Sequence, residues 1–313
     1  MKSFITRFAS LLAASFLLPL AAHGQAFRAY VASYGNDANP CTVTAPCRLL
    51  PAAINAAASG GEVWMLDSAN FNSATITVTK NVSILAVPGQ IGSIVGVAGG
   101  PAISVTGFTL RLRNVAIVNN AVNPGTDGIA VAGGSDVFIE DSLVVASAGS
   151  YGINISGGTV SAQNVTFRDS KSGIHVAGNS SADVSKSRFS NNNYYGVFVD
   201  GAPGSATSNA SITDCDFTGG FGGVLAYTNT GSNVTLRVNV NRSSFSNATF
   251  GVAIANGGGT SLSNAGAVGQ SSFSNIGNTA LIAQFGGVLE TLGDNQARQV
   301  PTPTSGTTSV PHV

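Results

Sequence analysis

From about residue 75 onward the chain repeats one short pattern eight times, and no compact mixed fold accommodates such a pattern. The first column of the repeat runs Asn81-Val-Ser-Ile84, Asn114-Val-Ala-Ile117, Asp141-Ser-Leu-Val144, Asn164-Val-Thr-Phe167, Lys186-Ser-Arg-Phe189, Asp214-Cys-Asp-Phe217, Arg242-Ser-Ser-Phe245 and Gln270-Ser-Ser-Phe273. Successive final residues are 33, 27, 23, 22, 28, 28 and 28 positions apart. A second column interleaves with it, from Gly128-Ile-Ala-Val131 through Gly152-Ile-Asn-Ile155, Gly173-Ile-His-Val176, Gly196-Val-Phe-Val199 and Gly223-Val-Leu-Ala226 to Gly251-Val-Ala-Ile254. Each repeat holds about three runs that alternate apolar with polar, the period-2 signature of strands with one buried face. A single coil of three strands cannot bury its own apolar side. Successive coils must therefore stack, strand on equivalent strand, into a parallel solenoid of about eight coils whose inward residues form continuous columns. In that register Phe167, Phe189, Phe217, Phe245 and Phe273 stack inside, and Cys215 lies on the same inward face.

Composition agrees with this architecture. Only 9 % of residues are charged, whereas glycine supplies 39 of 313 positions; a helical bundle would need the Lys and Glu that are missing, while tight turns use glycine. The expected architecture is all-β, a single-stranded parallel solenoid over residues 61–295. Its open end needs a cover against edge-to-edge pairing, and Arg48 to Ala58, RLLPAAINAAA, is the one convincing helix in the mature chain. Residues 25–60 are accordingly read as an opening segment with an N-terminal capping helix. Residues 296–313, rich in Pro and Thr and poor in apolar residues, are expected to be disordered.

Residues 1–24 read as a signal peptide. Lys2 and Arg7 precede an apolar run from Phe8 to Ala22, and Ala22-His23-Gly24 offers the small residues of a cleavage site, so the mature chain would begin at Gln25 in a secreted or periplasmic location. The run is about 15 residues long, short of the roughly 20 that span a bilayer, and no second segment qualifies. Removal of the leader leaves 12 basic against 14 acidic residues, a net formal charge of −2, which argues against a nucleic-acid partner. An oxidising compartment favours a staple between Cys41 and Cys47, with Cys215 as a buried apolar thiol.

These residues resemble the right-handed parallel β-helix proteins of the pectin lyase-like superfamily of secreted bacterial type. The resemblance rests on the two columns and on the opening Ala29-Tyr-Val-Ala-Ser-Tyr-Gly-Asn-Asp-Ala-Asn-Pro40, followed by Cys47 and the capping helix. It implies the right hand. Members include polysaccharide lyases, glycoside hydrolases, adhesins and proteins without known activity, so fold alone assigns no chemistry. The hydrolase motif set resembles Asn-Thr-Asp-Gly, an Asp-Asp pair, Gly-His-Gly and Arg-x-Lys; here only Thr126-Asp127-Gly128 matches, and Asp127 is read as a turn residue. Lyases of the superfamily use calcium, which needs six to eight oxygen ligands. The closest acidic groupings are Asp136 with Glu140 and Asp141, and Asp214 with Asp216. No cofactor is expected, calcium being the one alternative, and no transition-metal site can be assembled from two mature histidines.

One constellation stands above this background. Alternation sends Ile174 and Val176 inward and His175 outward, with Asn154 and Phe198 as its lateral neighbours. Arg168, Lys171, Arg188, Tyr194 and Tyr195 lie in the adjacent turns, which suggests a groove for an acidic glycan, with His175 and Arg188 as candidates for any catalysis. The same column runs Ala130, Asn154, His175, Phe198, Leu225, Ala253, Ile282, an apolar strip suited to self-association unless a loop such as Asp200 to Asn209 or Asn256 to Gly269 covers it. The expected function is non-catalytic binding of a glycan or other surface partner. The alternative is a lyase or hydrolase acting on an acidic polysaccharide.

Overall fold

The computed structural model describes residues 25–96, 99–118, 127–201, 206–228, 234–257 and 262–309; the expected leader, 1–24, lies outside them. The chain winds as a parallel β-solenoid with three faces, each interior strand pairing in parallel with its equivalents one coil before and after. The first face includes Ser172–Ala177, Tyr195–Asp200, Gly222–Thr228, Phe250–Asn256 and Thr279–Gln284. The second includes Ala57–Met65, Val82–Ala86 and Thr109–Arg113, and long strands such as Ile129–Glu140 bend from the first face into the second. The third is a sheet of nine short strands, among them Thr166–Arg168, Arg188–Ser190 and Asp216–Thr218. About nine coils are formed, one more than the repeat count suggests.

From Asn114 onward the first repeat column forms the corner into the third face; its expected first member, Asn81 to Ile84, runs instead into the second-face strand Val82–Ala86, and Ile94 is the residue in register with Ile117. Asn114, Asp141, Asn164, Lys186, Asp214, Arg242 and Gln270 all have φ between 47° and 55°, a left-handed conformation that Asn and Asp tolerate and longer side chains accept only at some cost. The last residue of each unit points inward. The five phenylalanines stack face to face with ring centroids 4.9, 4.6, 4.7 and 4.8 Å apart. This ladder also explains the second column: a Cβ on Gly196 would stand 2.6 Å from the Phe217 ring, and the same approach recurs at Gly223 against Phe245 and Gly251 against Phe273. Cys215 is buried, as its place in the column requires.

At the N-terminal end the helix Leu50–Ala56 is shorter than the expected 48–58 because Ala57 turns extended and begins a strand. Leu50, Ala53 and Ile54 bury into the core. Cys41 and Cys47 form the expected disulfide. At the other end the expectation of a disordered tail fails for residues 296–309. Gln296–Arg298, Thr302–Ser305 and Thr308–Ser309 pair in parallel with the preceding coil. Their side chains are mostly exposed; the strand edge left open by the previous coil supplies backbone partners that need no apolar sequence.

Candidate functional site

The outward column of the first face is as expected, with Ala130, Asn154, His175, Phe198, Leu225, Ala253 and Ile282 in lateral register. What covers it differs. Phe198 is only 8 % exposed and Leu225 6 %, because Tyr194, Tyr195, Tyr227 and Phe250 pack over the strip. The chain's own aromatic side chains, then, bury this strip; the two loops considered as covers fall partly outside the described residues. Tyr195, expected as an exposed sugar platform, is itself 5 % exposed and serves as part of this small external core. Burial pushes its phenol well above the ordinary tyrosine range. Tyr194 stands edge-on to both Tyr195 and Phe198 at 4.8 and 5.3 Å and remains half-buried.

The predicted basic cluster divides between faces. Lys171, His175, Tyr194 and Phe198 meet on the first face. Arg168 and Arg188 sit on strands of the third, where Arg168 pairs with Asp169 and Arg188 approaches Asp216 at 3.9 Å. Proximity in sequence misled here because a turn lies between Arg168 and the Ser172–Ala177 strand, so three or four residues carry the chain around a corner. The groove beside His175 accordingly contains one lysine and one carboxylate, Asp200, and no surplus of positive charge among the described residues.

That groove is an open cleft of about 600 Å³ lined by Lys171, Tyr194, Phe198, Asp200 and Tyr227. A smaller hollow of about 200 Å³ continues it beyond Tyr194 and Tyr227, toward Phe250 and the exposed Phe285. Burial, with Tyr227 and Asp200 nearby, raises the Tyr194 phenol above its ordinary value, Lys171 opposing. Lys171 Nζ donates to the Tyr151 hydroxyl at 3.0 Å. The Tyr151 ring stacks on His175 at 4.3 Å, and His175 on Phe198 at 5.1 Å, so the imidazole is clamped between two rings.

A polar chain that the sequence did not reveal fixes the orientation of the imidazole. Asp127 accepts hydrogen bonds from the Tyr151 backbone N–H at 3.0 Å and from Asn154 Nδ2 at 2.8 Å. Asn154 therefore presents its Oδ1 to His175 Nδ1, 2.9 Å away, and Nδ1 must carry the proton. Nε2 is buried, lies 3.5 Å from Asp200 Oδ2 and has no hydrogen-bond partner. Asp127, read as a turn residue, stands just before the strand Ile129–Glu140 and holds Asn154. Its partnership with Asn154 and that of His175 with Asp200 span one coil each, a signal visible only once the coils are aligned.

The acidic groupings considered for calcium do not fit a shell of six to eight free oxygens. Asp136 bonds Thr159, Asp141 takes Arg113 and Asn164, Asp214 takes Arg242 through two bonds of 2.8 and 3.0 Å, and Asp216 bonds Ser244. Among the described residues no three His, Cys, Asp or Glu side chains gather for a metal, and no helix is long and apolar enough to cross a membrane.

The profile of the right handed beta helix region matches residues 101–285, well over half of the chain. The chain belongs to the right-handed β-helix family. Two solved structures show how this β-helix compares. The crystal structure of pectate lyase Pel9A aligns with a TM-score of 0.57 and 14 % identity, over 90 % of this chain and 79 % of that one. A rhamnogalacturonan lyase aligns with a TM-score of 0.51 and 13 % identity, over 82 % of each. At these identities the likeness concerns the fold. No curated protein matches the sequence.

Proposed function

We propose that this β-helix is an exported protein that binds a glycan in the first-face cleft without altering it. The observation that carries the reading is the cleft itself: an aromatic wall of Tyr194, Phe198 and Tyr227 bordered by Lys171 and Asp200. Aromatic faces offer apolar area to the C–H face of a pyranose, and the flanking charged groups offer a donor and an acceptor to its hydroxyls. With Arg168 and Arg188 on another face, support for a strongly anionic ligand is weaker than the sequence suggested, and a neutral or weakly charged sugar suits the cleft better. The Cys41–Cys47 disulfide fits an oxidising compartment.

The alternative, a polysaccharide lyase or hydrolase, draws on one observation, the His175 Nε2 oriented toward Asp200. The similar folds named for pectate and rhamnogalacturonan lyases support a link to polysaccharides. A hydrolase needs two carboxylates across the scissile bond, and Asp200 is the only one among the described residues lining the cleft. Glycan-array binding of the mature chain, run beside a scan for unsaturated products and new reducing ends, separates the two readings. Binding that is lost in Tyr194→Ala, without product, is the expected result. Product formation that depends on Asp200 would establish the enzyme instead.

A further inference from the structure

The hollow beyond Tyr194 and Tyr227 has its cause in the repeat. On the strand Phe250–Asn256 two successive outward positions are alanines, Ala253 and Ala255, whereas the coil before presents Leu225 and Tyr227 in the same register and the coil after presents Ile282 and Gln284. A row of small side chains between two rows of large ones leaves a gap of about 200 Å³. Its walls stand two strand spacings apart, about 10 Å. Inside the solenoid the same coil spacing admits one flat ring per coil, for the phenyl ladder runs at 4.6 to 4.9 Å between centroids. Over Ala253 and Ala255 the outer surface is short of one such ring.

The lining chooses the kind of ring. None of the described residues around the gap is charged, and Tyr194, Tyr195, Tyr227, Phe250 and Phe285 all border it. An ion entering here would give up water without gaining a partner, and a puckered saturated ring is thicker than one coil spacing allows. A flat uncharged ring gains aromatic contacts beyond its area, and the exposed Gln284 amide at the rim can meet one hydroxyl.

Phe285 gives an independent reason to regard the gap as a site. At the corner that ends the first face, earlier coils place Gly107, Gly133, Gly157 and Gly178, with φ of 77°, 64°, 104° and 65°. After Thr279–Gln284 the same corner carries Phe285 at φ 54°, the only aromatic side chain among the described residues in that left-handed region. A bulky residue there is strained, and this one is also 76 % exposed. Neither folding nor solubility favours it over glycine. Strain of this kind persists where a ligand contact uses it, and the Phe285 ring forms the rim of the gap.

We infer that this gap is a binding site for a single uncharged aromatic ring of the phenol class. The site goes beyond the glycan reading of the adjoining cleft and stands whether or not that cleft binds sugar, because the ring carries none. The test titrates the full mature protein, with its alanine methyls labelled, with para-cresol and in parallel with the saturated analogue para-methylcyclohexanol and the anion para-hydroxybenzoate. NMR follows the Ala253 and Ala255 methyl signals, and calorimetry gives the affinities. The expected result is a saturable ring-current shift of both methyls by para-cresol, with Kd on the order of 1 mM or below. The other two compounds should bind roughly tenfold more weakly or not at all. Ala255→Phe supplies the ring from the chain itself and should abolish binding, with far-UV circular dichroism to confirm the fold. Phe285→Gly relieves the corner, so it should raise the urea midpoint while weakening para-cresol binding severalfold, a combination that a merely structural role would not produce. Absence of a saturable shift, equal affinity for the saturated analogue or the anion, or undiminished binding in Phe285→Gly or in folded Ala255→Phe would overturn the inference.

Discussion

Replacing Phe217 tests the phenyl ladder as the axis of the solenoid. Its ring is 2 % exposed and sits between Phe189 at 4.6 Å and Phe245 at 4.7 Å, with Gly196 packed against its edge. Truncation of a buried phenylalanine to alanine costs about 3–5 kcal/mol in general. Phe217→Ala should stand near the top of that range because the backbone is tied into coils on both sides and cannot collapse into the gap. Phe217→Leu separates volume from stacking. It keeps most of the apolar bulk but gives up two ring pairs, each contributing about 0.5–1.5 kcal/mol beyond area, so a loss of about 1–3 kcal/mol is expected. Phe273 ends the ladder with a single ring neighbour at 4.8 Å, and Phe273→Leu should lose about half as much. The measurement is urea unfolding followed by far-UV circular dichroism, comparing midpoints at equal m-values. If Phe217→Leu and Phe273→Leu lose the same stability, or Phe217→Ala loses less than about 2 kcal/mol, stacking along the ladder is not what holds these coils together.

Lys186 occupies the left-handed corner at φ 50°, where asparagine serves at Asn114 and Asn164; Lys186→Asn should raise stability by about 0.5–1 kcal/mol, seen as a higher urea midpoint. Burial pushes the Cys215 thiol up to about 11 and raises the Tyr195 phenol as well. Both groups fold in their neutral forms, so their contribution is complete below the unfolded-state values and is lost as pH rises through the folded ones. Stability should hold to about pH 8.5, the unfolded thiol value, and decline above it, with a smaller decline between pH 9 and 11 in Cys215→Ala; a flat alkaline profile in the wild type would contradict the burial of both groups. Native Cys215 should also resist alkylation by iodoacetamide at neutral pH, reacting only after denaturant is added.

Much of the fold was legible in the chain because its determinants are local. Alternation within each strand set which residues point inward, and the equal spacing of Phe189, Phe217, Phe245 and Phe273 placed them on one another. Asn114, Asp141 and Asn164 marked a corner that needs a left-handed residue, and Gly196 and Gly223 marked places where a ring lies against the backbone. The lateral neighbours of His175 followed from the same register. Other features depended on how far each turn rotates the chain around the coil, which composition does not encode. Arg168 and Arg188 were carried to the third face by turns of only a few residues, whereas Asp127, about one coil before Asn154, and Asp200, about one coil after His175, were brought to the site. Tyr195 was placed in a turn and is nevertheless buried, because its neighbour Tyr194 and, from later coils, Tyr227 and Phe250 join it in one external cluster. The segment after residue 295 carries too few apolar residues to be recognised as a coil, yet its backbone pairs with the edge the preceding coil leaves open. Inward positions are decided by each strand's own pattern; outward neighbours and the last coil are decided by stacking, since only the assembled solenoid sets which side chains from different coils share a surface.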